Sequence, residues 1–231
     1  MRPGGLELTL RGLEHCRLAS GSRILDVGAG LGATVTALRD RGFDAVGVEP
    51  DAVLRRRAAA AHPGLPLSDA CAAAVPWPDG SFAAVFAECV LSLVEADGAL
   101  TEIRRVLRPG GALVLSDLYR RPRSALAEAS PSRCSGGIRT ASAVRSLLVR
   151  HGFLVCLWED QSRTLAELAA VAIMRHGSLD ALPAHAGLPP AVRADEGRPR
   201  TRLGYYLCVA RRGEARDGRV PEPDEERSWT M

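Results

Sequence analysis

A chain of 231 residues, 46% hydrophobic and 25% charged with a formal net charge of +3, has room for one α/β domain with a sizeable core and an appendage, and is too short for two full domains. The charges are mixed along the sequence rather than blocked, and aromatic residues make up only 4%. This argues against a nucleic-acid surface of basic stripe and stacking rings, and against an anionic membrane as partner.

Lysine is absent, and with the excess of alanine and glycine this reads as the coding bias of a GC-rich genome. No run of about eighteen apolar residues occurs, and the N-terminus lacks the charged-then-apolar pattern of a signal peptide. A cytoplasmic protein is expected. Its six cysteines (Cys16, Cys71, Cys89, Cys134, Cys156, Cys208) form no C-x-x-C pair, so they read as thiols in a reducing compartment and not as a zinc site.

Residues 1–22 carry Leu6, Leu8, Leu10, Leu13, Cys16 and Leu18. They read as a short helix covering a ligand site or a sheet edge, although Leu6, Leu8 and Leu10 also alternate like a strand. The stretch Arg23-Ile-Leu-Asp-Val-Gly-Ala-Gly-Leu-Gly-Ala-Thr34 is an apolar strand, a glycine loop and the start of a helix. Gly28, Gly30 and Gly32 remove side chains that would hold a ligand off the backbone. Asp26 stands two residues before the first glycine, at the strand end. There an acid suits a cation and would repel a pyrophosphate.

The helix from Thr34 to Arg41 stops at Gly42 as at a C′ glycine, and Ala45–Glu49 is a second strand. Glu49 ends it, 23 residues past Asp26, where an acceptor-only carboxylate matches two ribose hydroxyls. A solvated strand end is the bland alternative. Pro50-Asp51 then turns the chain into an arginine-rich helix, Val53–Ala61.

The order D-x-G-x-G-x-G resembles motif I of the class I S-adenosylmethionine (SAM) dependent methyltransferases. The segment from Leu67 to Phe82, with Asp69-Ala70 and Pro76-Trp-Pro-Asp-Gly-Ser-Phe82, resembles a second segment of that family, with Ala83 where the family often has Asp. A third likeness is the helix Ala99–Leu107, the turn Arg108-Pro-Gly-Gly111 and the strand Ala112–Asp117. The resemblance spans about residues 23–118. It implies a Rossmann-like, seven-stranded α/β sheet that binds SAM through Asp26, Gly28, Ala29, Gly30, Glu49, Pro50, Asp69, Ala70 and Glu88. By resemblance Glu49 meets the ribose, and Asp69 with Ala70 meets the adenine.

Glu88 and Cys89 follow strand four, where open α/β sheets present ligands; a packed cysteine is the commoner case. Tyr119–Ser135 lacks periodicity and falls where the family builds a variable cover over the acceptor. Cys134-Ser-Gly-Gly-Ile resembles a C-x-G-G-A context of arsenite methyltransferases, which makes a thiophilic acceptor an alternative. A plain glycine turn before the helix Ala141–Val149 is the preferred reading. Strand six is expected at Gly152–Cys156 and an antiparallel strand seven at Leu203–Ala210.

Between these strands, an insertion over 159–202, with a helix from Thr164 to Met174, reads as a lid or binding element. Trp158-Glu-Asp-Gln-Ser162 and His176-Gly-Ser-Leu also resemble, faintly, uncharacterised methyltransferases encoded near selenium-dependent molybdenum hydroxylases. The tail, 212–231, reads as disordered. The expected organisation is thus a cover helix, a SAM-binding domain over 23–211 and the tail.

The expected activity is methyl transfer from SAM to a small molecule, with no metal. Catalytic candidates are Glu88, Cys134 and His176, with His151 and Asp160 as further bases for a hydroxyl acceptor. A non-catalytic SAM-fold partner protein is the second hypothesis. A NAD-dependent reductase is a distant third, disfavoured by Asp26.

Overall fold

The computed structural model describes residues 2–121, 137–176 and 202–213. In chain order the elements are α1 (Gly5–Cys16), β1 (Arg23–Val27), α2 (Ala33–Arg39), β2 (Asp44–Val48), α3 (Ala52–Ala61), β3 (Leu67–Ser68) and β4 (Phe82–Glu88). Then come α4 (Ala96–Val106), β5 (Leu107–Arg121), α5 (Ala141–Arg150), β6 (Phe153–Asp160), α6 (Ser162–His176) and β7 (Arg202–Arg212).

Ile24, Leu25, Asp26 and Val27 are all buried, the pattern of a strand covered by helices on both faces. The seven strands form one sheet in the order β3-β2-β1-β4-β5-β7-β6. The first five run parallel, and β7 lies antiparallel between β5 and β6. Strand order reverses between β1 and β4, and such a switch point opens a crevice at the carboxyl ends of the strands.

Strand alternation divides the core in two. Leu25, Val85, Leu113 and Leu115 meet Leu100 and Ile103 of α4 and Leu148 of α5 on one face. Ile24, Phe86 and Val114 meet Leu8 of α1 and Val35 and Leu38 of α2 on the other. The same period places Asp26 and Glu88 on the α1/α2 face, and the register pairs Asp26 with Phe86, two residues before Glu88.

Local chemistry sets the helix starts. Asp51 caps α3 by accepting from the amides of Val53 (2.6 Å) and Leu54 (3.2 Å), and the Thr140 hydroxyl accepts from the Ala143 amide at the start of α5.

Several boundaries differ from expectation, those of β5 and β6 most. Strand β5 begins at Leu107, whose pairing with Phe82 draws the Arg108–Gly111 segment into the strand; Gly110, at φ 70°, still makes the bend. Strand β6 runs on to Asp160 because Trp158 stacks on Tyr206 of β7, ring centroids 4.4 Å apart. Trp158, Glu159 and Asp160 are therefore sheet residues, and α6 follows them at once. Of the expected acceptor cover, Tyr119–Ser135, the first three residues instead extend β5 along β7; the rest of it with Cys134, the part of the insertion over 177–201 and the tail from 214 lie outside the described residues. No helix among the described residues is long and apolar enough to cross a membrane.

Candidate cofactor site and its surroundings

The glycine loop leaves β1 with Gly28, Gly30 and Gly32 at φ 71°, 56° and 79°, a region that costs side-chain-bearing residues about 1 kcal/mol or more. The amides of Gly28 and Ala29 both donate to the Val48 carbonyl at 2.9 Å, which fixes the loop to the end of β2. A Cβ at Gly28 would come within 2.6 Å of Val90, and one at Gly32 would collide with Leu65, whereas one at Gly30 would meet nothing within 4 Å. The first and third glycines thus permit close packing, and the second presents open backbone.

Glu49 sits one residue past β2, only 6% exposed. Its Oε2 accepts from the Gly30 amide at 2.8 Å and its Oε1 from the Asp51 amide at 2.9 Å. Arg55 of α3 then links two strand ends. One guanidinium nitrogen donates to the Glu49 carbonyl at 2.6 Å and the other to Asp69 just past β3 at 2.7 Å. Asp69 itself is exposed, Ala70 beside it is half-buried, and Pro50 is exposed between Glu49 and Asp51.

On the α1/α2 side of the loop stands a cluster of charge. Asp26 is buried, and burial pushes its carboxyl well above the usual carboxylate range. Glu88 pushes it further, Arg2 draws it back, and Glu49 adds to the rise. Glu88 is half-buried, with its side chain only 5% exposed. It accepts from the hydroxyls of Thr9 and Thr34, each at 2.8 Å, and pairs with the Arg2 guanidinium at 2.9 Å. Arg2 also donates to Thr34 at 3.0 Å and to Thr9. The segment before α1 therefore reaches the carboxyl end of β4.

Towards β5, Cys89 takes a left-handed backbone at φ 58°. Its amide donates to the Ser116 carbonyl at 2.7 Å, and its sulfur lies 3.1 Å from the Tyr205 hydroxyl. Burial pushes the thiol up to about 12, so it is not a thiolate near neutrality. Asp117, buried in β5 one residue past its pairing with β4, accepts from the Ser92 amide and hydroxyl at 2.8 and 2.7 Å and from the Leu118 amide at 2.7 Å. Among the described residues no group of three or more His, Cys, Asp or Glu is arranged to hold a metal ion.

A family profile described as "Methyltransferase domain" matches residues 25–115, the span that builds this loop and its strand ends. The crystal structure of the [4+2]-cyclase SpnF superimposes over 90% of this chain and 80% of its own, with a TM-score of 0.66 and 30% identity. The chain belongs to the class I SAM-dependent methyltransferases. An uncharacterised methyltransferase of Mycobacterium tuberculosis is 38% identical over 97 residues, 42% of this chain and 40% of the relative. A demethylmenaquinone methyltransferase of Thermus thermophilus is 37% identical over 110 residues, 45% of this chain and 50% of the relative. The chain thus matches half or less of the length of these two relatives.

As a member of that family, the chain brings Asp26, Gly28, Ala29, Gly30, Glu49 and Glu88 together around one loop, and Arg55 ties Asp69 to the same end of the sheet. Other sequence candidates stand elsewhere. His151 caps α5 just before β6, at the amino end of the parallel strands, and pairs with Asp97 of α4 at 2.8 Å. Asp160 ends β6, held by Arg121 at 3.3 Å and by Ser162, and His176 closes α6. Arg2, Thr9, Thr34, Ser92 and Asp117 escaped the sequence reading. Only Thr34 carried a signal, its place directly after the glycine loop.

Proposed function

We propose that this chain transfers a methyl group from SAM to a small-molecule acceptor. The observation that carries the reading is the hydrogen bond from Gly30 to Glu49 beside buried Asp26, an acid-lined glycine loop at the sheet's switch point. The residues fit SAM. A carboxylate has about four acceptor positions, and Glu49 uses two on loop amides, which leaves capacity for ribose hydroxyls. Asp69 presents an exposed acceptor to an adenine amino group. The acids Asp26 and Glu88 favour a cationic head and oppose a pyrophosphate.

SAM, when bound, supplies a methyl group already activated by its sulfonium. What remains for the chain is to hold the acceptor in line and exclude water. Glu88 is committed to Arg2, Thr9 and Thr34 on the α1/α2 side, so its place in this reading is with the cofactor and not as the acceptor's base. The oxygens of Asp117 are taken up by Ser92 and Leu118. Cys134 as a thiol or arsenite ligand remains the alternative for the acceptor side.

A second reading is favoured by one finding, that the 30% identical structure is that of a [4+2]-cyclase. On that reading the pocket serves chemistry other than methyl transfer. Incubation with SAM and a panel of phenols, thiols and arsenite, followed by mass spectrometry, separates the two. Acceptor-dependent S-adenosylhomocysteine supports transfer, and SAM recovered intact with a rearranged acceptor supports the second reading.

A further inference from the structure

The charge cluster around Glu88 contains one feature that acids on a cation site do not explain. The buried Asp26 carboxyl feels the charges of Glu88 and Glu49 and, against them, that of the Arg2 guanidinium, which pairs with Glu88 at 2.9 Å. A ligand group that carried positive charge alone would be well served by the acids and repelled by Arg2. An α-amino acid head carries both signs within one carbon of each other, and needs a cation as well as acids.

The bonding of Arg2 points the same way. One nitrogen, Nη2, makes the contacts to Thr9, Thr34 and Glu88. The Nε atom is buried and has no hydrogen-bond partner. A buried donor without a partner is costly, and the planar guanidinium fork matches a carboxylate in two parallel bonds. Arg2 is also positioned from two sides. Its carbonyl accepts from the Gly5 amide at 3.2 Å at the start of α1, and Thr9, one turn into that helix, holds both Arg2 and Glu88.

We infer that Arg2 is the carboxylate clamp of the cofactor site. Its guanidinium, oriented by Glu88, Thr9 and Thr34, receives the carboxylate of the methionine moiety, while Asp26 and Glu88 face the ammonium and sulfonium. This inference rests on the SAM reading above. It gives the segment before α1 a direct binding role.

SAM and decarboxylated SAM share the adenosine, the sulfonium and the amine, and differ only in the carboxylate. Calorimetric titration of the full chain with each, for the wild type, Arg2→Ala and Arg2→Lys, isolates the clamp. The wild type should bind SAM on the order of 10–100-fold more tightly than the decarboxylated form. Arg2→Ala should lose that preference while holding decarboxylated SAM within about threefold of the wild type, and Arg2→Lys, a point charge without the fork, should fall between.

Equal binding of the two ligands by the wild type overturns the clamp without recourse to any variant. So does an Arg2→Ala chain that weakens both ligands alike, because Arg2 would then only position α1. Circular dichroism and a melting curve matched to those of the wild type show separately that the variant is folded. A folded wild type that binds neither ligand overturns the cofactor assignment itself, and the clamp with it.

Discussion

The Oε2 atom of Glu49 lies 2.8 Å from the Gly30 amide, so the acid that ends β2 also holds the glycine loop that leaves β1. Loop position and ribose recognition therefore depend on one side chain. Glu49→Gln keeps the shape but turns one acceptor oxygen into a donor facing an amide. It should weaken SAM binding about tenfold or more, with a loss of stability on the order of 1–2 kcal/mol. Titration calorimetry and urea denaturation measure the two effects separately.

Asp26 trades stability for binding. Its carboxyl is raised in the folded chain by burial first, then by Glu88. Between the unfolded value of about 3.9 and the higher folded value, the native state holds more protons than the unfolded one, so this group's contribution to stability falls as pH rises through that window. Asp26→Asn removes the penalty. The variant should melt higher than the wild type at pH 7, with the gain shrinking towards pH 4, and should bind SAM more weakly. Melting curves at the two pH values check the sign.

Asp69 should behave in the opposite manner. Its pair with Arg55 is exposed on the Asp69 side, and exposed pairs contribute little to stability. Asp69→Ala should leave the melting temperature within about 2 °C of the wild type, yet reduce SAM affinity roughly tenfold through loss of the adenine acceptor. Thermal melts paired with titrations test the separation.

The thiols should divide by burial. Cys16, Cys89 and Cys208 are pushed up to about 12 by burial, whereas Cys71 and Cys156 are exposed. Iodoacetamide at pH 8 should label Cys71 and Cys156 well before the other three, because the thiolate is the reacting form. Peptide mass spectrometry over a time course reads the order.

The part of this molecule written in local sequence was legible. Strand, glycine loop and helix at Arg23–Arg39, the acid closing β2 and the antiparallel β6 and β7 follow from burial patterns and glycine conformation that a few neighbouring residues determine. The Arg2–Glu88 pair was not legible. It joins residues far apart in the chain through a register that only the assembled sheet supplies, and Arg2 precedes the first helix, outside any periodic pattern. The ends of β5 and β6 were missed for the same reason. Leu107 is drawn into the sheet by Phe82 and Trp158 by Tyr206, contacts that outweigh the turn signal of Arg108–Gly111 and the end of apolar alternation at Cys156.

SAM binding by the acid-lined glycine loop underlies the predictions for Glu49, Asp26 and Asp69. Calorimetric titration of the purified chain with SAM and, separately, with NADH tests it most directly. The expected result is saturable binding of SAM, weakened by Asp26→Ala and by Glu49→Ala, with NADH bound far more weakly. A folded chain that leaves SAM unbound, or that prefers NADH, would contradict the account.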